Sequence, residues 1–182
     1  MASRPLQLSL ATYLQSVKPP WTALLVLKAG QRAEATVKMP EGFLRLAARG
    51  EKCRSVQGLF AELAEALQFP DYFGHNWDAL EECLTDFEWL PAKGYVLLFT
   101  NAESVLPYQE EEFATLLEVL SDAGEAWASG QASQGAKRAT PFHTLLAVSE
   151  REQSALMASG LPQVTASASP TRPQGKTKRS TR

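Results

Sequence analysis

Residues 71–86 read DYFGHNWDALEECLTD. Pro70 and Gly74 bracket a loop, Gly74 being suited to a left-handed turn, and Asn76 suits the N-cap of a helix over about 77–87. At about 100° per residue, Trp77, Leu80, Cys83, Leu84 and Phe87 fall in one apolar arc. Asp78, Glu81, Glu82, Thr85 and Asp86 fall in the opposite arc, and no Lys or Arg accompanies them. The segment therefore reads as a helix packed on a core, with an anionic outer face. That face opposes local stability: Asp78–Glu82 and Glu82–Asp86 are like-charge i, i+4 pairs, each costing about 0.2–0.5 kcal/mol. Asp86 also falls at the end where the helix dipole disfavours an anion. A solvated acidic face has this pattern, and so does a docking surface for a cationic partner. The second reading also accounts for the missing bases.

Working outward, alternating elements surround this helix. Phe43–Ala48 suits a short strand closed by a turn at Arg49-Gly50. Ser55 can cap a helix in which Val56, Leu59, Phe60, Leu63 and Leu67 share one face. Tyr95–Thr100 (YVLLFT) is an unbroken apolar run, as expected for a strand covered on both faces. Glu110–Trp127 has helical spacing, with Phe113, Leu116, Leu117 and Leu120 inward, and Phe142–Val148 suits a last strand. This succession implies an α/β fold of three layers, with a three-stranded parallel core sheet packed with helices. Residues 1–40 read as an N-terminal extension with a short helix in Leu6–Val17 and a strand at Trp21–Leu27. That strand either extends the sheet at an edge or forms a hairpin with Glu34–Lys38. Residues 41–149 read as the main domain, with a flexible loop at 128–140. Residues 150–182 read as a disordered basic tail ending in SASPTRPQGKTKRSTR.

The net charge of −2 conceals a segregation. Between Pro70 and Glu125 there are thirteen acids and one base, Lys93, a net of −12, against +10 for the rest of the chain. Such a block implies a directed field and a basic partner. No apolar run is long enough to span a bilayer, no signal peptide opens the chain, and two cysteines, Cys53 and Cys83, give no disulfide framework. A cytoplasmic protein with reduced thiols is expected, with no membrane association.

Motifs for catalysis and cofactors are lacking. There is no phosphate-binding Gly loop, no paired CxxC and no nucleophile elbow. His75 and His143 lack partners at metal-ligand spacing, and Cys83 lies on the buried arc, where a free thiol is inert. The expectation is a protein that is not an enzyme, with no metal and no cofactor.

FPDYFGHNWDALEECLTD at 69–86 resembles the signature of the barstar family of intracellular ribonuclease inhibitors. The pattern is carried by Pro70, Asp71, Tyr72, Phe73, Gly74, Asn76, Trp77, Asp78, Ala79, Leu80, Glu82, Leu84 and Thr85, and the resemblance covers about residues 43–149. It implies that the second helix of this region and the loop before it plug a nuclease cleft, with carboxylates standing in for RNA phosphates. Carried over by position, the partner-binding residues are Tyr72, Asn76, Asp78, Glu82 and, from the last helix, Asp122. Glu81 stands on the same face where the family has a Trp. Glu82 replaces an Asp, Asp122 a Glu, Trp77 a Leu, Phe87 a Trp and His75 an acid. The implied partner is a secreted-type or toxin ribonuclease with a basic active site, without direct nucleic-acid contact by this chain, which is a monomer when free. The alternative is an interaction or immunity module of the same fold for a basic partner that is not a ribonuclease.

Overall fold

The computed structural model describes residues 8–132 and 138–165. The strands are β1 (Leu8–Ser9), β2 (Thr22–Leu27), β3 (Phe43–Arg49), β4 (Gly94–Thr100), β5 (Phe142–Ser149) and β6 (Gln163–Thr165). The helices are α1 (Leu10–Leu14), α2 (Ala33–Thr36), α3 (Val56–Ala66), α4 (Trp77–Thr85), α5 (Glu110–Ser129) and α6 (Ser154–Met157). All six strands lie parallel in one sheet, in the order β1-β6-β2-β5-β4-β3.

Parallel neighbours need crossovers, and here the crossovers carry the long helices. α3 and α4 lie between β3 and β4, and α5 between β4 and β5. They cover one sheet face, where Leu46, Leu97, Phe99 and Leu146 join one core with Leu59, Leu63, Leu80, Leu84, Leu116 and Leu120. On the other face Val96, Leu98, Leu145 and Ala147 form a second core with Leu10, Tyr13, Leu14, Ala33 and Val37. The result is the expected three-layer α/β fold. β4 is buried on both sides at every position except Thr100, which is why its sequence is apolar without alternation.

α3 is held to the sheet by its own chemistry as well. The Ser55 hydroxyl accepts the Gly58 N–H at 3.1 Å, capping its first turn. Glu62, buried at the β3 end, accepts the Arg49 backbone N–H and Nε at 2.8 Å and its Nη2 at 2.7 Å. A buried carboxylate is tolerable only when its oxygens are satisfied in this way.

The three expected core strands are β3, β4 and β5, adjacent in the sheet, but three further strands join them. β2 is neither an edge strand nor half of a hairpin. It pairs in parallel with β5 from Thr22↔Thr144 to Leu27↔Ser149, and with β6 on its other side. The segment read as its hairpin partner instead forms α2 and loop. The tail expected to be disordered from residue 150 is structured to Thr165: α6 precedes β6, whose Val164 is fully buried between β1 and β2. Backbone pairing begins before the strand itself, where Leu24 donates to the Pro162 carbonyl at 2.8 Å. The basic residues from Arg172 onward, and 133–137 of the expected flexible loop, lie outside the described residues. α5 runs two residues further than expected, to Ser129, and stops where Gly130 takes φ 72°. The first helix is shorter than Leu6–Val17 allowed, a single turn at Leu10–Leu14.

Candidate functional site

The acidic helix α4 rests on Leu80, Cys83 and Leu84, all buried. The Asn76 side-chain oxygen caps it, accepting the Ala79 N–H at 2.8 Å, while the Asn76 amide donates to the Gly74 carbonyl at 3.3 Å. Asn76 is thus first a structural cap, with one amide hydrogen left over. The expectation of a left-handed turn at Gly74 is corrected: the positive φ, 51°, belongs to His75. Gly74 is needed for a different reason. A Cβ there would approach the Asn76 amide nitrogen to 3.0 Å, tighter than ordinary contact, and crowd the capping side chain.

Two tryptophans fasten α4 alongside α5. The Trp77 indole at the start of α4 donates to Glu112 in the first turn of α5 at 3.1 Å. The Trp127 indole near the end of α5 donates to the Leu84 carbonyl at 2.8 Å. Early residues meet early and late meet late, so the two helices run side by side in the same direction. Trp77 is only half-buried, packed edge-on against Phe60 with ring centroids 5.1 Å apart, where the apolar arc alone placed it in the core.

With that inner face fixed, Asp78, Glu81 and Glu82 are all exposed. Asp122 is exposed on α5, between the two tryptophan attachments in sequence. Asp86, expected inside the helix, is instead its extended C-cap, because α4 ends at Thr85. Among the described residues the only ion pairs are Arg49–Glu62 and Arg49–Glu65. None of the acids on α4 or α5 has a cationic partner within the described residues.

The loop before α4 splits its aromatics. Phe73 is buried against Phe60 and Phe69, whereas Tyr72 is 64% exposed. The Tyr72 hydroxyl titrates above its ordinary value, through local desolvation first and then the surrounding negative groups, Cys83 as thiolate, Asp86, Glu82 and Glu88. Tyr72 thus stands exposed in the loop that leads into the acidic helix. Tyr72 in the loop, Asp78, Glu81 and Glu82 on α4, and Asp122 on the adjoining α5 are all exposed.

No site for covalent chemistry forms around the thiol. Cys83 is buried, and its thiol is pushed up to about 11, by burial first and then by Glu82 and Asp86, so it stays protonated at neutral pH. Among the described residues no group of His, Cys, Asp and Glu is placed to hold a metal ion, and no helix is long and apolar enough to cross a membrane.

The family profile described as "Barstar (barnase inhibitor)" matches residues 43–147, more than half of the chain. The chain belongs to the barstar family. A Bacillus subtilis (strain 168) protein named "Putative ribonuclease inhibitor YrdF" is 34% identical over 76 residues, 42% of this chain and 80% of that protein. Among solved structures, the Aeropyrum pernix ORC2 protein, in ADPNP-ADP complexes, superposes with a TM-score of 0.53 at 13% identity. It covers 90% of this chain, which spans only 48% of that one, about half its length, and the likeness is one of fold alone. The matched family region takes in β3, α3, α4, β4, α5 and most of β5. β1, β2, β6 and the short helices lie outside it.

Sequence reasoning missed the residues that aim this face. Glu112 was one acid among thirteen, and Trp127 a helix-terminal aromatic. A signal existed for the second, since a tryptophan in the inner face of a helix needs an acceptor for its N–H. Its acceptor, 43 residues away, could only be seen in the fold.

Proposed function

We propose that this chain is a cytoplasmic protein inhibitor of a ribonuclease, acting by occlusion of a basic active-site cleft and not by turnover. The observation that carries the proposal is an acidic surface, exposed Asp78, Glu81 and Glu82 on α4 with Asp122 exposed on the adjoining α5, that no cation of the described residues neutralises. Membership of the barstar family and the YrdF relationship support a nuclease as the partner. A nuclease cleft gathers Arg, Lys and His to hold phosphate. Carboxylates on a rigid helix meet such groups in short charge-assisted hydrogen bonds, bidentate where the donor is Arg. Tyr72 supplies an exposed aromatic at the edge of the acids, the residue type enriched in interface cores. Asn76 contributes its remaining amide hydrogen. The like-charge repulsion along α4 is relieved when the partner supplies its cations.

Long-range attraction also accelerates capture, and salt screens it. The expected behaviour is one-to-one inhibition of a basic bacterial ribonuclease, with an association rate that falls steeply as salt rises. Asp78→Ala and Glu82→Ala should each weaken inhibition more than tenfold while the circular-dichroism spectrum and urea midpoint stay at or above wild type. Inhibition by both variants at wild-type strength would refute the acidic-face mechanism.

A further inference from the structure

Tyr108 is 99% exposed, the most exposed large hydrophobic side chain among the described residues. Its backbone adopts φ 67°, the left-handed region that residues bearing a Cβ avoid. Such a conformation persists only where the surroundings over-determine it, and here they do. Leu106, buried and itself at φ 46°, donates its N–H to the Cys53 carbonyl at 2.8 Å. Pro107, immediately before Tyr108, has its own φ locked by its ring. Gln109 donates its N–H to Leu106 at 3.1 Å and its side-chain amide to the Arg54 carbonyl at 3.0 Å. The loop is pinned on both sides of Tyr108 while the tyrosine ring touches little of its own chain. A fixed, outward-facing aromatic contributes nothing to this fold that a small residue would not.

Its position gives it a use. Tyr108 lies four residues before Glu112, the residue that takes the Trp77 indole beside Asp78. It therefore stands toward the amino end of α4, the helix that the loop carrying Tyr72 leads into. α4 has nine residues, about 13 Å at 1.5 Å per residue. A specific interface covers about 800 Å² on each partner, roughly 30 Å across. A footprint centred on α4 has room for both tyrosines. Glu110, Glu111 and Glu112 follow Tyr108 closely, so a cation over the ring face is also attracted by neighbouring carboxylates.

We propose that Tyr108 is a second aromatic contact of the partner-binding surface, taking a Lys or Arg side chain of the same basic partner that the α4 acids engage. This rests on the ribonuclease-inhibitor reading above. It assigns the contact to a loop outside the helix and loop that the barstar signature marks.

The test uses the full-length protein, with barnase and a panel of basic bacterial ribonucleases as probes. Dissociation constants and urea midpoints are measured for wild type, Tyr108→Phe, Tyr108→Ala, Tyr108→Gly and, as a control, Asp78→Ala. Tyr108→Gly separates structure from binding, because glycine relieves the left-handed strain. Its urea midpoint should match or exceed wild type while its affinity for the probe that wild type binds falls about tenfold, the order of a strong cation–π contact. Tyr108→Ala should lose affinity similarly, and Tyr108→Phe should stay within about twofold because it keeps the ring face. Tyr108→Gly binding as tightly as wild type, with Asp78→Ala impaired, would overturn the role of Tyr108 and leave the acidic-face reading standing. Absence of binding by wild type to every probe would overturn both.

Discussion

Replacing Glu82 with Gln should stabilise the free protein and weaken its complex, two effects of opposite sign from one uncharged substitution. Within α4, Glu82 faces Asp78 at i−4, a like-charge pair costing about 0.2–0.5 kcal/mol. The pair with Asp86 is weaker than full helical geometry gives, because Asp86 is the extended C-cap. Glu82 also lies in the second half of a nine-residue helix, where an anion meets the unfavourable end of the dipole, a few tenths of a kcal/mol more. Gln keeps the length and helix propensity of Glu, so the gain should total about 0.3–1 kcal/mol at low salt. For a chain of this size that is about 1–4 °C in melting temperature. Urea unfolding at about 10 mM salt should show the gain, and about 1 M salt should remove most of it, since the screening length there is near 3 Å. In the complex, an ionised hydrogen-bond acceptor is lost, worth about 1.5–3 kcal/mol, or roughly tenfold to a hundredfold in affinity. A Glu82→Gln variant that unfolds more easily than wild type at low salt would refute the claim that this face is electrostatically strained. Such a result would mean that Glu82 has a stabilising partner within its own chain.

Other consequences concern what holds the face in place. His143 is fully buried, its Nε2 2.8 Å from the Ser16 carbonyl and its ring 4.3 Å from Tyr13, and burial keeps its folded pKa below the ordinary value near 6.5. The unfolded chain then binds this proton first. Stability is full above about pH 6.5 and falls as pH drops toward the folded pKa, at up to about 1.4 kcal/mol per pH unit; His143→Leu should flatten that slope in urea titrations between about pH 7 and 5. Trp127→Phe keeps the ring packing but removes the hydrogen bond to the Leu84 carbonyl, so it should cost about 1–2 kcal/mol by urea unfolding. Hydrogen exchange should show faster opening at the end of α4 than at its start. Deleting residues 1–40 strips Leu10, Tyr13, Leu14, Ala33 and Val37 from Val96, Leu98, Leu145 and Ala147, and the remainder should be insoluble or molten by near-UV circular dichroism; a cooperative melt at the wild-type temperature would show that the second sheet face needs no cover.

The parts of this fold that were legible in the sequence are those whose signal is local. β4 declared itself by an apolar run, and α4 by a cap, an apolar arc and an acidic arc within one short stretch. β6 was not legible, because three residues with one buried side chain carry no period, and its pairing with β2 joins segments far apart in the chain. The interior place of β2 was hidden for the same reason: its register against β5 is a long-range fact. Glu62 was hidden by its charge, since nothing local says that an acid on a helix will be buried under Arg49. At the site, the exposure of Asp78, Glu81 and Glu82 followed from the helical period alone. The attachment of α4 through Glu112 and Trp127 depended on contacts between elements far apart in sequence.

The most direct measurement is a titration of barnase and related basic bacterial ribonucleases with the purified full-length protein, following RNA cleavage at low and at physiological salt. The account predicts stoichiometric one-to-one loss of cleavage for at least one of them, with association slowed by salt and inhibition abolished in the Asp78→Ala, Glu82→Ala double variant. Undiminished cleavage of RNA by every enzyme at equimolar inhibitor, or inhibition that survives in the double variant, would contradict it.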